Sequence, residues 1–374
     1  MNAAAAQGEA PFEAELTRFF AASGASLVDV PILQPADPYL DTAGEALRRR
    51  IFLTRGTSGR SLCLRPDFTI PVAIAHIAQG AALPKRYAYS GLVFRQDREG
   101  SAEFRQAGIE DLGSPDTAGA DAAAIADAAR ALAACGIGFS TVNAVVGDQA
   151  LFEAFLKALG LPAGWQRHLI RTFGHDELLR QALESLSRGG SASASVSPDL
   201  LEMARAGDAD GLSKGISDRM EEGGLPPHRG RAPADVARRL IEKVTIAEVR
   251  LDEALLSRLR RFLAIDVTLS DAEAALEAID TDLGASLALF SARNKALEGA
   301  GIDLSAIRYR AAFGRPLDYY TGMVFEMSSL DVGTLAGGGR YDRLVSYLGA
   351  AEPIPAVGFS LWLDRIGAVI EAKS

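Results

Sequence analysis

Acids, guanidiniums, amides and phenols gather at four places along this chain, in combinations that suit the capture of a small zwitterion. The first is Leu64-Arg65-Pro66-Asp67-Phe68-Thr69, an acid and a hydroxyl ahead of an apolar run. The second is Phe94-Arg95-Gln96-Asp97-Arg98, followed by Glu103-Phe104-Arg105-Gln106 and Glu110. The third runs from Gly314-Arg315-Pro316-Leu317-Asp318-Tyr319-Tyr320-Thr321-Gly322 to Gly337-Gly338-Gly339-Arg340-Tyr341-Asp342. The fourth is Val357-Gly358-Phe359-Ser360-Leu361-Trp362-Leu363-Asp364-Arg365. A carboxylate holds an ammonium, a guanidinium holds a carboxylate, and a buried polar ring demands hydrogen-bonding partners. The run of glycines permits positive φ and close approach of backbone to a ligand. Each group also has a bland reading. Asp67 or Thr69 can cap a helix, the second group can be a solvated hairpin tip, the glycines a tight connection, and Arg365 a surface residue.

The elements that must hold these groups follow from periodicity. Glu9 to Ser23 reads as a helix stopped by Gly24, Leu27 to Leu33 as a strand, and Ser61 to Arg65 as a second strand halted by Pro66. Thr69 to Gln79 suits a helix with Pro71 in its first turn. Arg86 to Arg95 and Glu103 to Leu112 are strand-like, joined by a polar loop, and Ala118 to Ala134 is an alanine-rich helix closed by Gly136. Val142 to Val146 reads as a strand and Gln149 to Leu159 as a helix. Gly-, Pro- and Ser-rich stretches at 187–198 and 221–234 separate helical patterns, so 165–250 reads as a helical insertion between core segments 1–164 and 251–374. Tyr319 to Met327 reads as a strand and Ser360 to Ala372 as a helix. Strands joined by short polar loops, with helices placed irregularly among them, favour an α+β fold with a mostly antiparallel sheet flanked by helices.

Composition narrows the function. The chain has 374 residues, 48% of them hydrophobic, with net charge −9. Acids outnumber Lys and Arg by 48 to 39, which disfavours a general nucleic-acid surface. Two cysteines, Cys63 and Cys135, make no disulfide framework and suit a reducing cytosol. With neither a signal peptide nor a bilayer-length apolar run in the sequence, a cytoplasmic location away from membranes is expected. His76, His168, His175 and His228 lack metal-ligand spacing, so neither a metal nor a cofactor is expected. Asp-Thr-Ala-Gly occurs at Asp41 to Gly44 and at Asp116 to Gly119, but neither follows the apolar strand of a phosphoribosyl pyrophosphate site. Helix capping explains both.

Taken together and in order, the four groups resemble the catalytic core of histidyl-tRNA synthetase, a class II aminoacyl-tRNA synthetase. Arg315 to Gly322 and Gly338 to Asp342 resemble that family's two histidine-recognition signatures, the Arg95 hairpin its motif 2, and Gly358 to Arg365 its motif 3. The resemblance spans roughly residues 10–160 and 270–374. It implies a six-stranded antiparallel sheet and a homodimer formed partly through residues 27–40. It also implies a histidine pocket. Asp67 and Thr69 stand where the family grips the α-amino group, Asp67 in place of the usual glutamate. Arg95 faces the carboxylate, Gln106 matches an amino-acid contact, and Glu110 reads the imidazole with Tyr320 and Tyr341 around it. Arg315 belongs to the family's activation chemistry and is here a histidine-binding candidate, as a clamp on the carboxylate.

Departures from the synthetase pattern point to a paralogous family. Only Glu99 to Glu103 separate Asp97-Arg98 from Phe104-Arg105-Gln106, a shortened motif 2 loop without the basic residues that serve ATP and tRNA. Pro316 replaces a glycine, and Trp362 stands where motif 3 has a small glycine, so its indole can fill space left to adenine. Residues 366–374 alone follow Arg365, whereas synthetases continue into an anticodon-binding domain. These features resemble the regulatory subunits of ATP phosphoribosyltransferase, synthetase-like chains that do no chemistry alone. The resemblance implies a short catalytic subunit as partner in a larger hetero-oligomer, histidine as feedback ligand, and no tRNA. The rival expectation is a stand-alone core that still forms histidyl-adenylate.

Overall fold

A computed structural model describes residues 11–42, 47–96, 102–188, 196–223, 232–248, 251–315, 317 and 319–373. Asp97, Arg98, Glu99, Pro316 and Asp318, on which part of the comparison with synthetases turns, lie outside the described residues. So do 189–195 and 224–231 of the two loop-like stretches.

The described strands are β1 (Ser26–Leu27), β2 (Leu33–Pro35), β3 (Leu53–Arg55), β4 (Ser61–Leu64), β5 (Lys85–Phe94), β6 (Glu103–Leu112), β7 (Asn143–Asp148), β8 (Asp266–Thr268), β9 (Ile307–Arg310), β10 (Met323–Ser329), β11 (Gly333–Arg340) and β12 (Ala356–Trp362). One sheet of nine strands runs β1-β5-β6-β12-β11-β10-β7-β9-β8, and β2-β4-β3 form a separate small sheet. The large sheet is wider than the six strands expected. It is antiparallel except where β1 meets β5 and β7 meets β9, which pair parallel. Its centre, β6-β12-β11-β10, is wholly antiparallel.

Three segments take a structure different from the sequence reading, each for a reason of pairing. Leu27 to Leu33 is not one strand, because β1 joins the large sheet and β2 the small one. Pro31 falls between them, where its missing N–H breaks no ladder. Tyr319 to Gly322 is not part of the strand; β10 starts at Met323, once pairing with Asp148 of β7 begins. Ser360 to Trp362 is strand rather than helix, since β6 and β11 both pair with this segment. Sheet pairing on both sides overrides helical periodicity there.

The chain divides into two compact units, Met1–Phe155 with Leu263–Ser374, and Leu156–Phe262, against an expected insertion of 165–250. In the first unit the helix Thr117–Ala134 packs on β11 and β12, with the helix Gly284–Gly299 against it. Buried Ala120, Ala124, Ala128 and Ala131 keep that contact close. Asp116 caps this helix, accepting from Gly119 N at 2.9 Å, as the capping reading of Asp116 to Gly119 requires. The second unit is helical, with Leu200, Leu212, Ile216 and Val244 in its own core. No helix among the described residues is long and apolar enough to cross a membrane.

Candidate functional site

On the sheet face away from the helix Thr117–Ala134, the register aligns three rows of side chains across neighbouring strands. Gly91 pairs with Gln106 and Gln106 with Trp362. Tyr89, Gly108, Ser360, Gly337 and Glu326 form the second row, and Tyr87, Glu110, Gly358, Gly339 and Val324 the third. Polar side chains thus stand on a floor interrupted by glycines. A Cβ at Gly358 would lie 1.8 Å from Glu110 Oε2, and one at Gly337 2.0 Å from Arg315 Nη1. The glycines make room for side chains of this chain itself, where the sequence reading had them admit a ligand to the backbone. They do so from extended backbone, and none of Gly337 to Gly339 has the positive φ that the sequence reading allowed.

All eight expected site residues, Asp67, Thr69, Arg95, Gln106, Glu110, Arg315, Tyr320 and Tyr341, line one cavity of about 150 Å³. Glu110 is its centre. The carboxylate is buried, with Thr69 Oγ1 donating to Oε1 at 2.8 Å and Tyr341 Oη to Oε2 at 2.5 Å. Burial pushes its pKa up to about 7, and the two hydroxyls moderate the shift. Burial likewise pushes Asp67 up to about 6, with the Arg95 guanidinium pulling the other way. Tyr341, buried beside Glu110, is held well above the usual phenol range.

Helix capping does not account for this first group. Asp67 Oδ1 accepts from Ile70 N only at 3.4 Å, while Thr69 turns to Glu110. Asp67 Oδ2, Gln106 Oε1 and Arg315 Nε have no hydrogen-bonding partner among the described residues. Unpaired buried polar atoms are costly, and these three belong to residues that line the same cavity.

The cationic side is built from three elements. Arg95, at the end of β5, donates from Nε to Pro66 O at 2.8 Å and lies 5.2 Å from the Phe104 ring. Arg315 precedes β10 and pairs with Glu326 at 2.9 Å across Gly337. Arg50 also lines the cavity, with Nε donating to Gln96 O at 2.9 Å. Carboxylates, an amide oxygen and guanidiniums around one cavity complement an α-amino acid.

Trp362, buried at the end of β12, lines the cavity between two arginines. Arg315 lies 5.5 Å and Arg365 6.0 Å from its ring. Sequence reasoning assigned no role to Arg50 or Tyr89. Tyr89 Oη lies 3.4 Å from Glu110 Oε1 and 2.8 Å from Ser360 Oγ. Its spacing two residues before Gly91 in an alternating strand, and the run Arg48-Arg49-Arg50, were the available signals. Among the described residues no group of three or more His, Cys, Asp or Glu could hold a metal ion.

The model of the histidyl-tRNA synthetase family matches residues 2–220 and 234–366. An ATP phosphoribosyltransferase regulatory subunit from Allorhizobium ampelinum is 53% identical over 360 residues, covering 95% of this chain and 96% of the relative. The chain belongs to the ATP phosphoribosyltransferase regulatory subunit family, within the histidyl-tRNA synthetase group. A second regulatory subunit, from Mesorhizobium japonicum, is 53% identical over 367 residues, covering 96% of this chain and 97% of its own. Solved structures share the fold of this chain. One described as an ATP phosphoribosyltransferase regulatory subunit/histidyl-tRNA synthetase from Bacillus halodurans gives a TM-score of 0.64 at 22% identity, covering 96% of this chain and 77% of that one. A histidine–tRNA ligase subunit from Alicyclobacillus acidocaldarius gives 0.59 at 24% identity, covering 100% and 98%. The class II synthetase-like α+β fold expected from the motifs is the fold these structures share.

Proposed function

We propose that the chain is the non-catalytic regulatory subunit that works with a short catalytic ATP phosphoribosyltransferase at the first step of histidine biosynthesis. Histidine, held in the cavity around Glu110, is its feedback ligand. The observation that carries this is the convergence of all eight residues on one cavity, three of them with a buried polar atom that has no hydrogen-bonding partner among the described residues. In this reading Asp67, Thr69 and Gln106 hold the ammonium, Arg95 and Arg315 face the carboxylate, and Glu110 with Tyr320 and Tyr341 reads the imidazole. The chain is a homodimer within a cytoplasmic hetero-oligomer and takes no tRNA.

Feedback requires a coupling free energy between this pocket and the subunit interface, and that coupling is reciprocal. Histidine titrated calorimetrically into the chain, with and without a catalytic subunit, is the test. Saturable binding whose affinity changes on complex formation supports the proposal. No binding, or no complex and no change in the catalytic subunit's activity, refutes it. Histidine-dependent exchange of pyrophosphate into ATP by this chain alone would instead establish the adenylate-forming reading.

A further inference from the structure

Behind the cavity, on the helix side of the sheet, lies a chain of buried charges that no ligand contact explains. Arg340, the last residue of β11, is 3% exposed and Asp121, in the helix Thr117–Ala134, is 0% exposed. Arg340 reaches Asp121 Oδ1 from Nε at 2.8 Å and from Nη2 at 2.7 Å, and Asp342 Oδ1 from Nη1 at 2.8 Å. Asp342 Oδ1 also accepts from Ala356 N at 2.8 Å, tying the strand end to β12. Arg293, itself fully buried, donates to Asp148 at 2.8 Å and stands 3.9 Å from Asp121.

The residue between the two clamped ones is Tyr341, whose phenol meets Glu110 inside the cavity. The same clamp reaches Tyr320 through its neighbour. Thr321 N donates to Arg340 O at 2.8 Å, and Thr321 Oγ1 accepts from Asp342 N at 3.1 Å.

We infer that Arg340 is a positioning residue of the amino-acid pocket, fixing Tyr341 and Tyr320 over Glu110 through its paired contacts with Asp121 and Asp342. Burying a pair such as Arg340 and Asp121 brings little net stability, because desolvation offsets the attraction and well-packed apolar residues do as well or better. The network as a whole is moreover incompletely satisfied: Asp121 Oδ2 and Arg293 Nε and Nη2 lack hydrogen-bond partners among the described residues. What a guanidinium gives here that an apolar side chain cannot is geometry. Its planar fork sets the direction of two carboxylates at once, and Arg340 and Asp342 flank Tyr341 in the chain. The inference rests on the proposed pocket, but its first readout does not need histidine.

The experiment uses the full chain with Asp121→Asn, Arg340→Lys and the apolar pair Asp121→Leu with Arg340→Met. Glu110 is titrated by ¹³C NMR of labelled glutamate, assigned with Glu110→Gln, and histidine affinity is measured by calorimetry. Loss of the Tyr341 hydrogen bond raises the Glu110 midpoint, whereas removing the Asp121 charge alone lowers it, so an upward shift reports misplacement. The expected result is that upward shift in folded Asp121→Asn, with histidine binding weakened roughly 3- to 30-fold. Arg340→Lys is expected to fall between Asp121→Asn and the unaltered chain. The apolar pair is expected to keep its melting temperature and still lose the alignment, and it decides the matter if the single variants fail to fold. Folded variants with unchanged Glu110 titration and affinity overturn the inference, and so does an apolar pair that cannot fold. If the unaltered chain binds no histidine while Asp121→Asn shifts Glu110, the ligand assignment fails and the clamp stands.

Discussion

Glu110 shows how one side chain sets the chemistry of the cavity. Its carboxylate is out of water but surrounded by hydroxyls, and burial lifts its pKa from the ordinary 4.5 to about 7. Between those values the folded chain holds a proton that the unfolded chain has released, so this group's contribution to stability declines as pH rises from about 4.5 through 7. Glu110→Gln removes the titration. Relative to the unaltered chain, the variant should therefore gain by up to about 3 kcal/mol between pH 5 and pH 8. Urea denaturation at both pH values measures this; a pH-independent difference would contradict the assignment. Binding tests the same residue differently. Glu110→Gln or Tyr320→Phe should weaken histidine binding by roughly 1–3 kcal/mol, because each leaves a buried partner unpaired. Calorimetry showing unchanged affinity in both would remove them from the site.

At the level of elements, the strands β6, β11 and β12 act as a platform whose glycines are spaces for side chains of neighbouring strands. A methyl at Gly358 meets Glu110 Oε2 at 1.8 Å and Ile109 O at 2.7 Å, and the second of these is backbone. Gly358→Ala should cost about 1–3 kcal/mol by overpacking and abolish histidine binding by displacing Glu110. Gly299, at the end of the helix Gly284–Gly299, has nothing within 4 Å of its would-be Cβ. Gly299→Ala should be neutral or stabilising by up to ~1 kcal/mol, since the unfolded chain loses freedom. Thermal melts of the two variants that moved together would show that local space is not what distinguishes these positions.

Across the whole molecule, every residue that lines the cavity belongs to the unit formed by Met1–Phe155 and Leu263–Ser374. Histidine at a hundredfold excess over its Kd should stabilise the chain by about 2.7 kcal/mol. Hydrogen exchange should slow in β6, β11 and β12 and leave Leu156–Phe262 unchanged. Protection confined to Leu156–Phe262 would move the ligand to another site.

The sequence by itself determined the eight residues that line the cavity, and the family. The motifs keep their residue types at fixed spacing, and types and spacing are what a sequence records. Thr69 to Gln79 and Glu103 to Leu112 were legible to the residue, because local periodicity and flanking loops agree there. The tertiary structure decided what depends on partners far along the chain. Ser360 to Trp362 became strand because β6 and β11 flank it, and β1 and β2 parted because two sheets compete for one segment. It also brought Tyr89 to Glu110 and Asp121 to Arg340, the latter across 219 positions. Buried charges find their partners through chain topology, and no local pattern of residues encodes that distance.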